Sequence, residues 1–179
     1  TEEAQSIIDN EFKNQKFVTV NSRNELFQEL PDTDIFLTGV FTQEMADTAK
    51  QLKWVNALSA GVDNYNLDLF RKNNIIFTNS TGTHKVQMSE YAVMSMVMLV
   101  RNIHFFIRNQ HNNIWNPEIT QSQIAGKKLG ILGLGSIGRE TAEKAHFMGM
   151  KVIGINTTGI NKEDFIEKTY TLKDLDIVL

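Results

Sequence analysis

The chain has 179 residues, of which 41% are hydrophobic and none is cysteine, and its formal net charge is −3. This length allows one large or two small hydrophobic cores, and the missing cysteines exclude disulfides and thiolate metal sites. The charges form no basic stripe, no metal-binding motif occurs, and the longest uncharged apolar run is far shorter than the ~20 residues of a membrane span. We therefore expect a cytoplasmic protein with no metal, no nucleic-acid partner and no membrane partner.

The first eighty residues alternate between strand-like and helix-like patterns. The segment NSRNELFQEL predicts a helix that begins at Asn21 or Ser22 and stops at Pro31. The predicted elements are, in chain order, helix 2–12, strand 16–20, helix 21–30, strand 34–38, helix 42–51, strand 54–58, helix 67–72 and strand 75–78. This order is typical of a parallel sheet with helices on both faces.

A second α/β pattern follows a long apolar segment. Residues 86–109 are apolar on nearly every face, which predicts one buried helix between two domains. A new strand, helix and strand then follow over 128–156. We predict two domains, residues 1–100 and 101–179. Because the chain opens at a threonine and stops inside DLDIVL, a strand-like run, we expect it to be truncated at both ends.

The second pattern contains three closely spaced glycines, Gly133, Gly135 and Gly138, behind the strand-like run KLGIL. In a strand–turn–helix context, the first glycine allows a tight turn, the second lets the backbone approach a pyrophosphate, and the third allows close helix–strand packing. The N–H groups of Ser136 and Ile137 are then expected at a helix N-terminus, which favours an anion. The spacing therefore predicts a dinucleotide-binding turn.

The end of the next strand bears on which dinucleotide binds, because an acidic residue there normally binds the ribose 2′-hydroxyl of NAD. Here Asn156 stands in that place, and no carboxylate occurs before Glu163. Asn156, Thr157 and Thr158 are candidates to donate hydrogen bonds to a 2′-phosphate, although no arginine or lysine lies within three residues. We expect NAD(P) with NADP slightly favoured; the alternative is a polar turn beside NAD.

Four stretches together resemble the D-isomer-specific 2-hydroxyacid dehydrogenases. They cover most of residues 52–179 and are LKWVNALSAGVDNY, IIFTNSTGTHKVQMSEYAV, AGKKLGILGLGSIGRETAEKAHFMGMKVIGIN and LKDLDIVL. The segment IRNQHNNIW is similar to a subgroup labelled glyoxylate/hydroxypyruvate reductase-like or phosphoglycerate dehydrogenase-like. The resemblance implies a flavodoxin-like substrate domain, built from both chain ends, and a Rossmann domain through which the protein dimerises.

The resemblance also implies a substrate site. The backbone N–H groups of Ala60, Gly61 and Val62 are expected to hold the substrate carboxylate. From the residues alone, Gly61 fits either a ligand loop at a strand's carboxyl end or a plain turn before a helix capped by Asp63. The family's catalytic Arg, acidic residue and His are expected beyond Leu179, so we assign no catalytic residue in this chain.

Three further residues attract attention, and two of them, His84 and Arg139, have two interpretations each. His84 is expected either to bond to backbone in its loop or to line a cleft, and His104 is expected to pack within the long helix. Arg139, which follows the glycine turn, is expected either to contact the pyrophosphate or to point to solvent.

Taken together, the sequence predicts an NAD(P)-dependent oxidoreductase that interconverts a small 2-oxo acid and a D-2-hydroxy acid, as a homodimer. The alternative is a dinucleotide-sensing binding protein of the same fold, similar to transcriptional corepressors, without turnover.

Overall fold

The computed structural model describes residues 2–179, apart from the side chains of 2–5 and 9. The helices are α1 (Glu2–Glu11), α2 (Arg23–Glu29), α3 (Gln43–Thr48), α4 (Leu67–Lys72), α5 (Lys85–Val100), α6 (Ile103–His111), α7 (Ser136–Phe147) and α8 (Leu175–Val178). The strands are β1 (Ile35–Thr38), β2 (Trp54–Ala57), β3 (Ile76–Asn79), β4 (Lys128–Leu132), β5 (Lys151–Ile155) and β6 (Lys168–Tyr170). By contacts the chain forms two compact units, one up to Asn79 and one from Ser80 to Leu179.

The first unit is built on a parallel sheet of order β1-β2-β3. Its core lies on one face, where Val55 and Ala57 of β2 are fully buried and the rings of Phe41, Phe70 and Phe77 stack in series. On the other face the larger side chains of β1 and β3 are exposed. This alternation follows from the period-2 geometry of strands and from helices that cover one face.

One expected strand of this unit is wrong, while a helix start is confirmed. Residues 16–20 are irregular, with Phe17 and Val18 exposed, and they pair with no strand of the described chain. Helix α2 begins after Ser22, whose hydroxyl accepts a hydrogen bond from Glu25 N at 3.2 Å.

The second unit is also built on a parallel sheet, of order β4-β5-β6. Helix α7 packs on this sheet through the fully buried Ala142 and Ala145, and Val152 of β5 lies in the same core. Helix α5 adds the partly buried Met96 and Val97 to that core. The long helix therefore belongs, by contacts, with the second unit; the expected domain boundary at residue 100 remains a prediction.

The single helix expected over 86–109 is wrong, because two helices form. Asn102 adopts a left-handed conformation (φ 54°), its Nδ2 donates to Thr120 O at 2.6 Å, and α5 and α6 meet at a bend of 72°. Asparagine tolerates this conformation, so it breaks the helix without a glycine or proline. The expected burial is also not met: Ser89 is the buried residue of α5, and Leu99 is 67% exposed.

The strand expected at DLDIVL is wrong as well. The Asp174 carboxylate accepts hydrogen bonds from the Thr171 N–H and hydroxyl at 3.1 and 2.8 Å, which forms a capping box. A 3-10 turn, Leu172–Asp174, therefore starts here and leads into α8. The short strand β6 precedes this turn, and the sequence patterns did not predict it.

No single helix within residues 2–179 is long and apolar enough to cross a membrane. The bent pair α5 and α6 meets the length and composition criteria only when the two helices are taken together.

Candidate functional site

The glycine turn connects the carboxyl end of β4 to the N-terminus of α7, as predicted. Gly133 follows the strand with φ at 100°, and its N–H donates to Ile155 O of β5 at 3.0 Å. Such a positive φ is open to glycine and strained for other residues. The turn is thereby fixed at the edge of the sheet where parallel α/β folds bind ligands.

The other two glycines serve different purposes. A Cβ on Gly138 would collide with the Gly133 carbonyl oxygen and lie 3.3 Å from Ile131 Cγ2, so packing requires glycine there. A Cβ on Gly135 would meet nothing within 4 Å, and the backbone there is extended (φ −75°, ψ −165°), a conformation that other residues adopt. Neither the backbone nor packing demands glycine at Gly135, which is compatible with the predicted close approach of a pyrophosphate.

The N-terminus of α7 offers hydrogen-bond donors to such a ligand. The first N–H groups of a helix have no partner within the helix, and no side chain caps α7 at Gly135. Ser136 and Ile137 are the first two residues of this 12-residue helix. Their N–H groups and the helix dipole favour an anion, so this part of the chain fits a dinucleotide pyrophosphate.

Asn156, at the end of β5, has its side chain engaged in its own turn. Its Oδ1 accepts hydrogen bonds from Thr158 N at 3.0 Å, from the Thr158 hydroxyl at 3.2 Å and from Gly159 N at 2.6 Å. Its Nδ2 donates to Ile160 O at 3.0 Å. Asn156 therefore shapes the turn, in which Thr157 and Thr158 are both exposed. Binding of a 2′-phosphate by these residues remains a prediction.

Arg139 makes a contact that the sequence did not predict. Its Nη1 lies 3.3 Å from Glu163 Oε1, so the first turn of α7 is bridged to the connection between β5 and β6. The two residues are 24 positions apart in the chain. Arg139 lies far from Asn156 in the sequence, and only the fold brings it to the connection after β5.

The candidate substrate loop follows β2 in the first unit. Its carbonyl groups are held within the unit: Asn79 Nδ2 donates to Ala60 O at 2.6 Å, and the Ser59 hydroxyl donates to Gly61 O at 2.7 Å. No hydrogen bond among the described residues uses the N–H of Gly61 or Val62. The loop is therefore shaped with its carbonyls occupied, which is compatible with the predicted binding of a carboxylate by backbone N–H groups.

The two histidines lie outside these loops. His84 is exposed at the start of α5, where its carbonyl accepts a hydrogen bond from Met88 N at 3.0 Å. The expectation that His104 packs inside is wrong, because it is exposed with its ring 4.2 Å from that of Phe105. Within the described part of the chain, no three His, Cys, Asp or Glu side chains are grouped to hold a metal.

An ionic cluster joins α7 to α5 at a groove of about 700 Å³ between them. Glu140 pairs with Lys144 on the same helix and with Lys85 of α5, whose Nζ lies 3.3 Å from Glu140 Oε2. Hydrogen bonds from Lys144 and then Lys85 hold the pKa of Glu140 below its ordinary value. The groove is lined by Glu90, Val93, Met94, Val97, Met98, Glu140, Glu143, Lys144, Phe147 and Met148.

Sequence comparison places the glycine turn within a known domain. The family model described as "D-isomer specific 2-hydroxyacid dehydrogenase, NAD binding domain" matches residues 93–179. The D-3-phosphoglycerate dehydrogenase of Homo sapiens is 31% identical over 137 residues, which are 74% of this chain and 26% of that protein. The chain thus spans about a quarter of the length of this curated relative.

Solved structures share the fold at lower identity. The NADPH-dependent glyoxylate/hydroxypyruvate reductase of Sinorhizobium meliloti, in complex with NADP and sulfate, has a TM-score of 0.79 and 23% identity over 99% of this chain and 55% of that one. The D-lactate dehydrogenase of Aquifex aeolicus, complexed with NAD and lactic acid, has a TM-score of 0.74 and 21% identity over 100% of this chain and 55% of that one.

Proposed function

Because the chain belongs to the D-isomer specific 2-hydroxyacid dehydrogenase family, we propose that the whole protein is an NAD(P)-dependent oxidoreductase, a cytoplasmic homodimer that interconverts a 2-oxo acid and a D-2-hydroxy acid. One observation carries this proposal: Gly135 faces open space beside the uncapped N-terminus of α7, inside the matched NAD-binding region. A glycine used only for packing would have neighbours, as Gly138 does.

The glycine turn holds the cofactor in this proposal. The N–H groups of Ser136 and Ile137 bind the pyrophosphate, and Gly133 and Gly138 keep the turn tight enough for that approach. When bound, the nicotinamide supplies the hydride that reduces a 2-oxo carbon. The chain's contribution is to fix the position of the cofactor relative to the sheet.

The loop after β2 binds the substrate carboxylate. Its Gly61 and Val62 N–H groups are available among the described residues, while Asn79 and Ser59 hold the loop from behind. Backbone donors recognise the carboxylate that all 2-oxo acids share, whereas the substrate's side chain is contacted by other parts of the site. We assign the catalytic Arg, acidic residue and His to a part of the protein beyond Leu179.

The cofactor preference we propose is NADP over NAD by a small margin. Its support is the absence of a carboxylate at the end of β5, where Asn156 stands, because an acidic residue there would repel a 2′-phosphate. Titration of the intact protein with both reduced cofactors, followed by fluorescence, measures this preference. We expect NADPH to bind at least as tightly as NADH, and NADH binding tenfold tighter would contradict it.

The homodimer we propose forms through the second unit. Its support is the apolar groove between α5 and α7, together with Phe147, which is 92% exposed at the end of α7. Large exposed aromatic side chains beside an apolar groove are typical of protein interfaces. Sedimentation of the intact protein tests this, and a monomer at micromolar concentration would contradict it.

A reductase assay of the intact protein tests the activity. Glyoxylate, hydroxypyruvate and pyruvate are each offered with NADPH and with NADH, and cofactor oxidation is followed by absorbance. We expect oxidation with at least one 2-oxo acid. Tight cofactor binding without oxidation by any of these acids would instead support a binding protein without turnover. The relatives, which are named as dehydrogenases and a reductase, give no support to that alternative.

A further inference from the structure

We propose that Arg139 binds the ribose 2′-phosphate of NADP, and that Glu163 holds its guanidinium beside the site when that phosphate is absent. This inference rests on the proposed function, since it names the residue that selects the cofactor. It assigns the small preference for NADP over NAD, proposed above from Asn156, to a specific ionic contact.

The position of the arginine supports this role. Arg139 follows Gly138 directly, on the first turn of the helix whose N-terminus faces the pyrophosphate. Its side chain extends toward the connection after β5, where Nη1 meets Glu163 Oε1 at 3.3 Å. The adenosine ribose of a dinucleotide in this kind of fold lies at the end of this second strand, and an arginine nearby accommodates a 2′-phosphate.

The chemistry of the neighbours also points to the arginine. The Asn156 amide is engaged in its own turn, and the Thr158 hydroxyl lies 3.2 Å from Asn156 Oδ1. These groups would have to break existing hydrogen bonds to reach a phosphate. A guanidinium binds phosphate through paired charge-assisted hydrogen bonds, which a threonine hydroxyl cannot replace.

A phosphate can replace Glu163 as the partner of the Arg139 guanidinium. The Arg139 and Glu163 side chains are 50% and 27% exposed, so a ligand can reach the guanidinium, and solvent screens the pair. The connection itself is held by Asn161, which accepts from Glu163 N at 3.1 Å and donates to Ile166 O at 2.6 Å. Loss of the ion pair therefore leaves the connection folded.

Three variants of the intact protein test the inference: Arg139→Gln, Glu163→Gln and, as a matched control, Lys162→Gln. Each is titrated with NADPH and NADH. Lys162 precedes Glu163 in the same connection, so its variant removes one positive charge nearby without touching the ion pair. A charge-assisted contact to phosphate predicts that Arg139→Gln weakens NADPH binding about tenfold or more and NADH binding less than about twofold.

The decisive result is the direction in which Glu163→Gln changes the affinity for NADPH. Glu163→Gln removes a carboxylate that competes for the arginine and repels the phosphate, so NADPH binding should tighten by at least about twofold with NADH binding unchanged. A purely structural ion pair predicts that both variants weaken both cofactors alike or change neither, and either result would overturn the inference. An equal NADPH loss in Lys162→Gln would overturn it too, since it would show general electrostatics.

The wild-type titration separates this inference from the function on which it rests. If the wild-type protein binds neither dinucleotide, the proposed function fails and the inference fails with it, before any variant is made. If both dinucleotides bind and Arg139→Gln does not discriminate between them, the inference alone fails.

Discussion

The two candidate ligand loops, one in each unit, follow the carboxyl end of a parallel strand but use glycine for different reasons. In the turn after β4, Gly133 is required by its positive φ and Gly138 by the neighbouring Gly133 carbonyl. In the loop after β2, a Cβ on Gly61 would meet only Asp63 Oδ2, at an ordinary 3.8 Å. Two of the three turn glycines are therefore demanded by the fold, whereas neither a positive φ nor packing demands glycine at Gly61 or Gly135.

The largest effect is expected where the fold itself demands glycine. Gly138→Ala places a methyl group against the Gly133 carbonyl, which cannot move without opening the turn, so the free energy of unfolding should fall by about 3 kcal/mol. Denaturant unfolding of the intact protein measures it. Gly135→Ala is the matched control, and equal stability of the two variants would show that the third glycine is not a packing residue.

The next effect separates binding from folding in the same turn. Gly135→Val puts side-chain atoms into open space, so the free energy of unfolding should fall by no more than about 1 kcal/mol, the scale of a less favourable N-cap residue. The same atoms would occupy the path of the pyrophosphate, and we expect cofactor binding to be lost. Fluorescence titration with NADPH checks this, and unchanged affinity would remove the role assigned to Gly135.

The corresponding substitution in the other loop should affect the substrate and not the cofactor. Gly61→Val fits the fold but crowds the N–H groups of the loop, so the KM for the 2-oxo acid should rise by about tenfold while the Kd for NADPH stays the same. Gly39→Val is the control, because Gly39 also follows a strand of this unit and has nothing within 4 Å of an added Cβ. A KM equal to that of the control would make Gly61 a turn glycine.

The smallest effect concerns the ion pairs of Glu140, which link α7 to α5. The pKa of Glu140 is lowered by Lys144 and Lys85, so its stabilising effect is present above its ordinary value of 4.5 and is lost as the pH falls through the lower folded value. Glu140→Gln should therefore reduce stability near neutral pH and flatten its decline below about pH 4.5. Unfolding curves across pH, with Glu143→Gln as the charge-matched control, test this; identical profiles for the two variants would contradict it.

The sequence predicted those features that depend on local patterns. The glycine turn, the helix after Ser22 and the parallel β/α alternation of the two units follow from spacing, capping and periodicity. The strand expected at 16–20 was wrong because a strand needs a partner, and pairing is not a local property. The capping box of Thr171 and Asp174 corresponds to a T-x-x-D pattern in the sequence. The apolar run DLDIVL, which begins at Asp174, nevertheless favoured a strand by its composition.

Features that depend on tertiary contact were out of reach. Asn102 breaks the long helix by a left-handed residue and a hydrogen bond to Thr120 O, neither of which any pattern marks. Arg139 reaches Glu163 only because α7 and the connection after β5 lie side by side. The sequence identified the residue types around the cofactor site, but only the fold determines which of them contact each other.

The central claim is that the turn after β4 holds a dinucleotide, and hydrogen–deuterium exchange of the intact protein with and without saturating NADPH tests it most directly. We predict slower exchange in peptides that cover 133–139, where the pyrophosphate meets the start of α7, and unchanged exchange in peptides that cover 59–62. Bound NADPH that leaves 133–139 unprotected would contradict the account.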